Sequence, residues 1–276
     1  MYRLLVLDLD GTLTDSKKEI PERNLNTLLR AQEKGLRIVL ASGRPTYGIT
    51  PLAKQLQLDR FGGYILSFNG GQIIGCKTNK VIYETVLDPV HYDYLYEMGN
   101  TEHFKIVSYE DDYIVCEDTE NEYIRYEAFL NKMPLKEVKD FRAHFNYPLP
   151  KCLVVGEPSK LVKLEETMRT HLEGHMSVYR SEPFFLELLP LGIDKAKSLA
   201  VLLERIGFTR EEMIACGDGF NDLSMIQYAG LGVAMANAQD VVKEAADHIT
   251  ASNEDCGVAQ VVEEFFLNRI SCKNND

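Results

Sequence analysis

Positive charge is in short supply in this chain: 30 lysines and arginines stand against 42 aspartates and glutamates, a formal net charge of −12. A nucleic-acid binder needs clustered lysine and arginine to displace counterions, so no nucleic-acid partner is expected. Small molecules fit better, and a phosphate among them would need a metal ion, a lysine and oriented backbone N–H groups to meet it locally. The six cysteines, Cys76, Cys116, Cys152, Cys216, Cys256 and Cys272, form no CxxC pair and no regular spacing. That argues against a zinc site and a disulfide framework and predicts reduced thiols. Long apolar runs are missing as well. The run Leu4 to Leu7 is broken by Asp8 and Asp10, too short for a signal peptide or a membrane span, so no membrane association is expected and the cytoplasm is the expected compartment. No internal repeat or low-complexity tract is present, and the six histidines show no ligand pairing.

What is present is a chain of 276 residues, 45% of them hydrophobic, long for one compact core and short for three. Arg3 to Asp10 reads as a buried strand ending abruptly at Gly11-Thr12. Pro21 opens a helix with Leu25, Leu28, Leu29 and Gln32 at helical spacing, and Gly35 stops it. Leu36 to Ala41 is a second strand, ending in the polar turn Ser42-Gly43-Arg44-Pro45, so the segment is a βαβ unit of a parallel sheet. Tyr64 to Phe68 reads as a third strand, and Asn69-Gly70 as a turn before Gln72-Ile73-Ile74.

From about Thr85 the texture changes. Aromatic-rich strand candidates, Phe104 to Tyr109, Tyr113 to Cys116, Leu153 to Val155, Ser177 to Tyr179 and Phe184 to Leu188, alternate with polar and helical stretches. The βα rhythm returns at Ile193 with a helix Asp194 to Ile206, a strand Met213 to Cys216, a helix after Asn221 and a strand near Leu231 to Ala234. The fold class expected is α/β: a Rossmann-like parallel sheet core with helices on both faces, plus an inserted α+β domain. The core takes residues 1–84 and 190–276, the insert 85–189, and Cys272 to Asp276 form a frayed tail.

In an open parallel sheet, ligands bind outside the carboxyl ends of the strands. Three such ends are rich in polar groups. Asp8 and Asp10, at i and i+2, point to one side of an extended chain; Ser42-Gly43-Arg44 and Gly217-Asp218-Gly-Phe-Asn221-Asp222 follow two other strands. Carboxylates gathered this way are too anionic to stay unneutralised in a partly buried cleft. Mg²⁺ answers this, with Asp8, the backbone carbonyl of Asp10 and Asp218 as suitable oxygen ligands and Lys195 offsetting the remaining charge. Arg44 is open to two readings, a phosphate contact or a surface ion pair. The acidic run Glu110-Asp111-Asp112 with Glu117, Asp118, Glu120 and Glu122 reads as a solvated face of the insert.

Asp8-Leu-Asp10-Gly11-Thr12, Ser42, Lys195 and Gly217-Asp218-x-x-Asn221-Asp222 resemble, in order, the four motifs of the haloacid dehalogenase-like hydrolases. The insert's size and place resemble the type IIB cap of the Cof-like phosphatases, and Ser67-Phe68-Asn69-Gly70-Gly71 is similar to theirs. The resemblance spans nearly the whole chain. It implies a Mg²⁺-dependent phosphatase acting on small phosphorylated metabolites such as sugar phosphates. Asp8 would accept the phosphoryl group, and Asp10 would protonate the leaving oxygen and then activate water. It further implies that Ser42, Gly43, Lys195 and Asn221 hold the phosphate, with Thr12 among them or fixing the loop. Asp8, Asp10 and Asp218 would meet the metal, with Asp222 close behind and specificity set by the cap. Phosphomannomutases carry a similar cap, so a phosphosugar mutase with the same nucleophile is an alternative. A non-catalytic phosphate-binding regulatory module is a second.

Overall fold

A computed structural model describes residues 2–268; Met1, Cys272 and the expected tail from Cys272 to Asp276 lie outside the described residues. The chain divides into two compact units, one taking the described residues up to Tyr83 and from Asp194 onward, the other Glu84–Ile193.

The first unit is built on an eight-stranded sheet. From edge to edge its strands are His248–Ile249, Leu231–Ala234, Met213–Gly217, Leu4–Leu7, Arg37–Ala41, Tyr64–Ser67, Gln72–Gly75 and Lys80–Glu84. The first six pair in parallel, and Gln72–Gly75 returns antiparallel. Side chains on a strand alternate between faces, so each central strand feeds two cores. Leu5, Leu7, Ile38, Leu40, Ile214 and Cys216 enter one, against Leu28, Ile49 and Val258 from helices Glu22–Glu33, Thr46–Gln55 and Gly257–Val262. Leu4, Val6, Val39, Ala41, Met213 and Ala215 enter the other, against Leu199, Leu202 and Met225 from helices Lys195–Ile206 and Leu223–Tyr228. The sheet therefore carries helices on both faces. Burying each such aliphatic side chain is worth about 1.5–3 kcal/mol, and this holds the polar strand ends in place.

Helix Glu22–Glu33 buries Asn24, Thr27, Leu28, Ala31 and Gln32, a face that only partly follows the leucine spacing. Asn24 can be buried because its amide is satisfied: Nδ2 donates to the Leu13 carbonyl at 3.4 Å and Oδ1 accepts from the Ala259 N–H at 3.0 Å. Helix Lys195–Ile206 starts at Asp194, whose carboxylate accepts from the Lys197 N–H, and stops at Gly207. The turn between Tyr64–Ser67 and Gln72–Gly75 packs against that helix start. Gly70, at φ +107°, leaves no room for a side chain, since a Cβ there would lie 2.6 Å from Ser198 Oγ and 2.8 Å from the Asp194 carbonyl. Lys195 is thus placed by a helix cap and by the Asn69-Gly70 turn together.

The second unit carries a six-stranded sheet ordered Met176–Glu182, Phe185–Pro190, Cys152–Gly156, Phe104–Glu110, Tyr113–Cys116, Leu135–Glu137. Its neighbours pair antiparallel except the last two. Ile106, Val154 and Leu186 on one face pack with Leu95 from helix Tyr92–Gly99 and with Leu161 and Leu164 from helix Pro158–His171. The unit is α+β. Strands Lys80–Glu84, Leu135–Glu137 and His248–Ile249 lie outside the sequence-based expectation; all three are sheet edges with no fully buried residue, so no apolar alternation marks them. No helix among the described residues is long and apolar enough to cross a membrane.

Candidate active site

The polar residues converge at the carboxyl ends of strands Leu4–Leu7, Arg37–Ala41 and Met213–Gly217. Asp8 extends the first: its N–H still donates to the Cys216 carbonyl at 3.0 Å. The chain then turns tightly, Thr12 N–H to Leu9 and Leu13 N–H to Asp8, through Gly11 at φ +82°. That turn demands glycine twice over, because a Cβ on Gly11 would also meet Asp218 Oδ2 at 2.3 Å. The Gly11 carbonyl accepts from Asn237 Nδ2 at 2.8 Å, which pins the turn from outside.

Lys195 lies at the centre with a fully buried side chain. Its ammonium donates to Asp8 Oδ1 at 2.8 Å, to Asp222 Oδ1 at 2.6 Å and to the Ala41 carbonyl at 3.0 Å. An ammonium has three donors, and all three are taken by protein groups. Lys195 therefore neutralises two buried carboxylates and keeps no donor in reserve. Asp222 Oδ2 accepts from the N–H groups of Asp218 and Gly219 at 3.0 and 2.9 Å, which fastens the loop carrying Asp218. One carboxylate oxygen from each of Asp8, Asp218 and Asp222 falls within 4.8 Å of the others. Of the three, Asp222 has both oxygens committed to protein donors, which suits a supporting part better than ligation. Thr12, fully buried, donates its hydroxyl to Asp218 Oδ1 at 2.9 Å.

The electrostatics follow from one ammonium facing three carboxylates. Burial, then the Asp222 charge, push Asp8 well above the usual carboxylate range, and Lys195 offsets this only in part. Asp218 is pushed up to about 6, chiefly by burial, with the Thr12 hydrogen bond opposing and Asp222 adding. Burial would lower the Lys195 ammonium, but Asp222 and Asp8 hold it above its ordinary value.

Asp10 has its own surroundings. Its carboxylate is gripped by Arg44, Nε to Oδ2 at 2.8 Å and Nη2 to Oδ1 at 2.6 Å, and Lys18 reaches Oδ1 at 2.7 Å. Burial would raise Asp10, but Arg44 first and then Lys18 more than offset it and hold it below the usual range. Its carboxylate stands outside the three-carboxylate cluster.

Ser42 is buried, and its Oγ accepts from the Arg44 N–H at 3.1 Å, which leaves its own proton to donate. The Ser42 carbonyl accepts from the Asn69 N–H at 3.0 Å, and Asn69 Oδ1 accepts from Asn221 Nδ2 at 3.1 Å. A Cβ on Gly43 would lie 3.1 Å from the Asn69 amide. Ser42, Gly43, Asn69 and Asn221 thus form one edge of the site. The expected site set omits Asn69, Arg44, Lys18 and Asn237. The Asn69-Gly70 turn and the family-like Ser67 to Gly71 stretch were the available signals for Asn69, and Lys18 and Asn237 had none. In the second unit Glu117 binds Tyr96, Asn100 and the Phe141 N–H, while Asp111, Asp112, Glu120 and Glu122 are exposed.

Residues 5–262 match the family model of the haloacid dehalogenase-like hydrolases. A haloacid dehalogenase-like hydrolase from Bacteroides thetaiotaomicron is 55% identical and superposes with a TM-score of 0.94, over 96% of this chain and 100% of that one. The 5-amino-6-(5-phospho-D-ribitylamino)uracil phosphatase YcsE of Bacillus subtilis (strain 168) is 31% identical over 265 residues, 96% of each chain. The subclass IIB sugar phosphatase BT4131 is 26% identical with a TM-score of 0.77, over 95% of this chain and 98% of that one.

Proposed function

The chain belongs to the haloacid dehalogenase-like hydrolases and is a phosphatase, and from that premise we propose that it hydrolyses small phosphomonoesters in two steps at Asp8, with Mg²⁺ held by Asp8 and Asp218. The observation that carries this reading is the placement of Lys195 between Asp8 and Asp222, with Asp218 beside them and Asp10 in separate surroundings two residues along.

The donor set fits a hard cation. Three carboxylates share one ammonium, and a nucleophile has to be ionised, yet Asp8 is held well above the usual range. Added positive charge at the cluster corrects both defects. Asp8, Asp218 and the backbone carbonyl of Asp10 are the ligands assigned, oxygen donors of the kind Mg²⁺ takes. When bound, the cation shields the phosphoryl oxygens and favours the charged form of Asp8.

The chain's own groups do the rest. Lys195 holds Asp8 Oδ1, so the second oxygen attacks phosphorus; the bond from phosphorus to the leaving oxygen breaks as Asp10 passes a proton to that oxygen. Asp10, now ionised, takes a proton from the water whose oxygen attacks phosphorus on the phosphorylated Asp8; the bond from phosphorus to the Asp8 oxygen breaks, and inorganic phosphate leaves with Asp8 again a free carboxylate. Ser42 donates its hydroxyl to a phosphoryl oxygen, and Asn221, Asn69 and Gly43 shape the edge beside it. Thr12 acts by orienting Asp218, and Asp222 by holding both Lys195 and the Asp218 loop. Phosphoryl transfer is mostly positioning and charge stabilisation, so this set is chemically sufficient.

The substrates named for two relatives, a phospho-ribityl compound and sugar phosphates, support a phosphate carried on a small polyhydroxylated carbon chain. Selection among such molecules is assigned to the inserted domain, drawn at residues 85–189. The test is phosphate release, with and without Mg²⁺, from sugar phosphates, sugar-alcohol phosphates, FMN and pyridoxal phosphate, with Asp8→Asn as control. Metal-dependent release lost in Asp8→Asn is expected; no metal-dependent release from any of these would overturn the reading.

A further inference from the structure

We infer that Arg44 is a positioning residue for the general acid and base: it fixes the plane and direction of the Asp10 carboxylate and acts on the reaction through Asp10. The inference rests on the reading of Asp10 given above. Its basis is the fork in which Nε and Nη2 each meet a different oxygen of Asp10, at 2.8 and 2.6 Å. Two parallel hydrogen bonds from a planar group leave a carboxylate no freedom to rotate about its last bond. A single contact would not do this, and Lys18, whose side chain is 48% exposed, supplies only one, to Oδ1.

The fork is itself anchored. The Arg44 N–H donates to Ser42 Oγ and the Arg44 carbonyl accepts from the Phe68 N–H at 3.1 Å, so the guanidinium is rooted in the loop that carries Ser42. Its side chain is only 16% exposed. The distance from the phosphate-binding hydroxyl to the proton donor is therefore set by one short, doubly pinned piece of chain. A surface ion pair would need none of this anchoring.

A positioning role predicts a dependence on the leaving group. A p-nitrophenolate departs without a proton, whereas the alkoxide of a hexose 6-phosphate needs one from Asp10 as the phosphorus–oxygen bond breaks. kcat/KM reports steps up to that departure, so the later hydrolysis of phosphorylated Asp8, common to both substrates, drops out of the comparison. General acid catalysis is worth about 10²–10⁴-fold. Asp10→Asn is expected to lower kcat/KM for the hexose 6-phosphate about 100-fold more than for p-nitrophenyl phosphate. Arg44→Met is expected to shift the same ratio at least ~10-fold, and the double variant to be no worse than Asp10→Asn alone, since Arg44 has nothing left to position.

Arg44→Lys keeps the charge and loses the fork, and it is expected to lose the same selectivity; it serves also if Arg44→Met does not fold. Equal loss for the two substrates in Arg44→Met, additive losses in the double variant, or full recovery in Arg44→Lys would each overturn the inference. If Asp10→Asn itself treats both substrates alike, the assignment of Asp10 as the acid fails. Selectivity lost in Asp10→Asn and kept in Arg44→Met removes the positioning role alone.

Discussion

Replacing Thr12 with valine tests whether the Asp218 carboxylate is set up for a metal by a hydrogen bond from across the site. Thr12 is fully buried and donates to Asp218 Oδ1 at 2.9 Å, and valine keeps the branching at Cβ while deleting the donor. A hydrogen bond to a charged group is worth about 1.5–3 kcal/mol. Asp218 is half-buried, so water replaces part of the loss and the lower end applies. At about 1.4 kcal/mol per tenfold, the Mg²⁺ concentration for half-maximal phosphate release rises roughly tenfold. That agrees with the ~10–100-fold cost of removing a group that orients a metal ligand. The pH dependence moves too. The Thr12 bond holds Asp218 down against burial, so its loss carries the metal-free carboxyl further above about 6 and shifts the acid-side loss of Mg²⁺ binding to higher pH. Mg²⁺ titrations of phosphate release at several pH values, with thermal unfolding as a folding control, read both effects. A folded variant with unchanged Mg²⁺ half-saturation and an unmoved acid limb would refute the reasoning.

Gly11→Ala forces a Cβ to within 2.3 Å of Asp218 Oδ2 at φ +82°, so Mg²⁺ affinity is expected to collapse along with a backbone cost of about 1–2 kcal/mol, measured by Mg²⁺ titration and by denaturant unfolding. Wild-type Mg²⁺ half-saturation in that variant would contradict the geometry. Lys195→Met leaves Asp8 and Asp222 unpaired in a buried site and is expected to destabilise the protein by about 3–5 kcal/mol in urea unfolding; a loss under about 1 kcal/mol would contradict the buried pairings. The metal-free protein is expected to lose stability as pH rises from the ordinary carboxylate range to about 6. Asp218 and Asp8 both have folded-state values above their unfolded ones, so the folded state binds more protons in that window. Denaturant midpoints in chelator should fall across it and recover with Mg²⁺; a midpoint that rises with pH in chelator would refute the sign.

The parts of this molecule legible in the sequence are those that repeat with a local period or stand at a strand's end. Leu4–Leu7, Arg37–Ala41 and Met213–Gly217 are apolar runs that stop at polar residues, so both the strands and the site-bearing turns could be marked. Edge strands such as Lys80–Glu84 pair on one side and bury little, so their residues alternate in nothing that a reader can see. The leucine spacing of Glu22–Glu33 pointed close to the true buried face but missed Asn24. Its burial depends on a carbonyl 11 residues back and an N–H 235 residues on. The same holds for the site's wiring. Thr12 to Asp218, Arg44 to Asp10 and Asn221 to Asn69 join residues between 34 and 206 positions apart, and no local pattern records such pairs.

That wiring produces an inversion with a consequence for the order of events. Asp8, the proposed nucleophile, would have to be ionised to attack, yet it is the carboxyl that burial and Asp222 push up; Asp10, the proposed acid, would have to carry a proton, yet it is the one that Arg44 and Lys18 hold down. Environments that drive two carboxyls apart mark an acid and a nucleophile, but here each is driven the wrong way for its task. Charge added in the right places acts against both displacements. Positive charge at the Asp8–Asp218 cluster lowers Asp8, and a phosphoryl anion beside Asp10 raises it by like-charge repulsion while the Arg44 fork keeps it oriented. The electrostatics of the resting site thus oppose the proposed roles of both carboxyls, and cation and phosphate together act against both displacements. Mg²⁺ and a phosphate analogue are then expected to bind with positive coupling, typically worth about 1–3 kcal/mol between linked sites. Calorimetric titration of each in the presence and absence of the other measures that coupling, and independent binding would show that the two carboxyls take their protonation states from elsewhere.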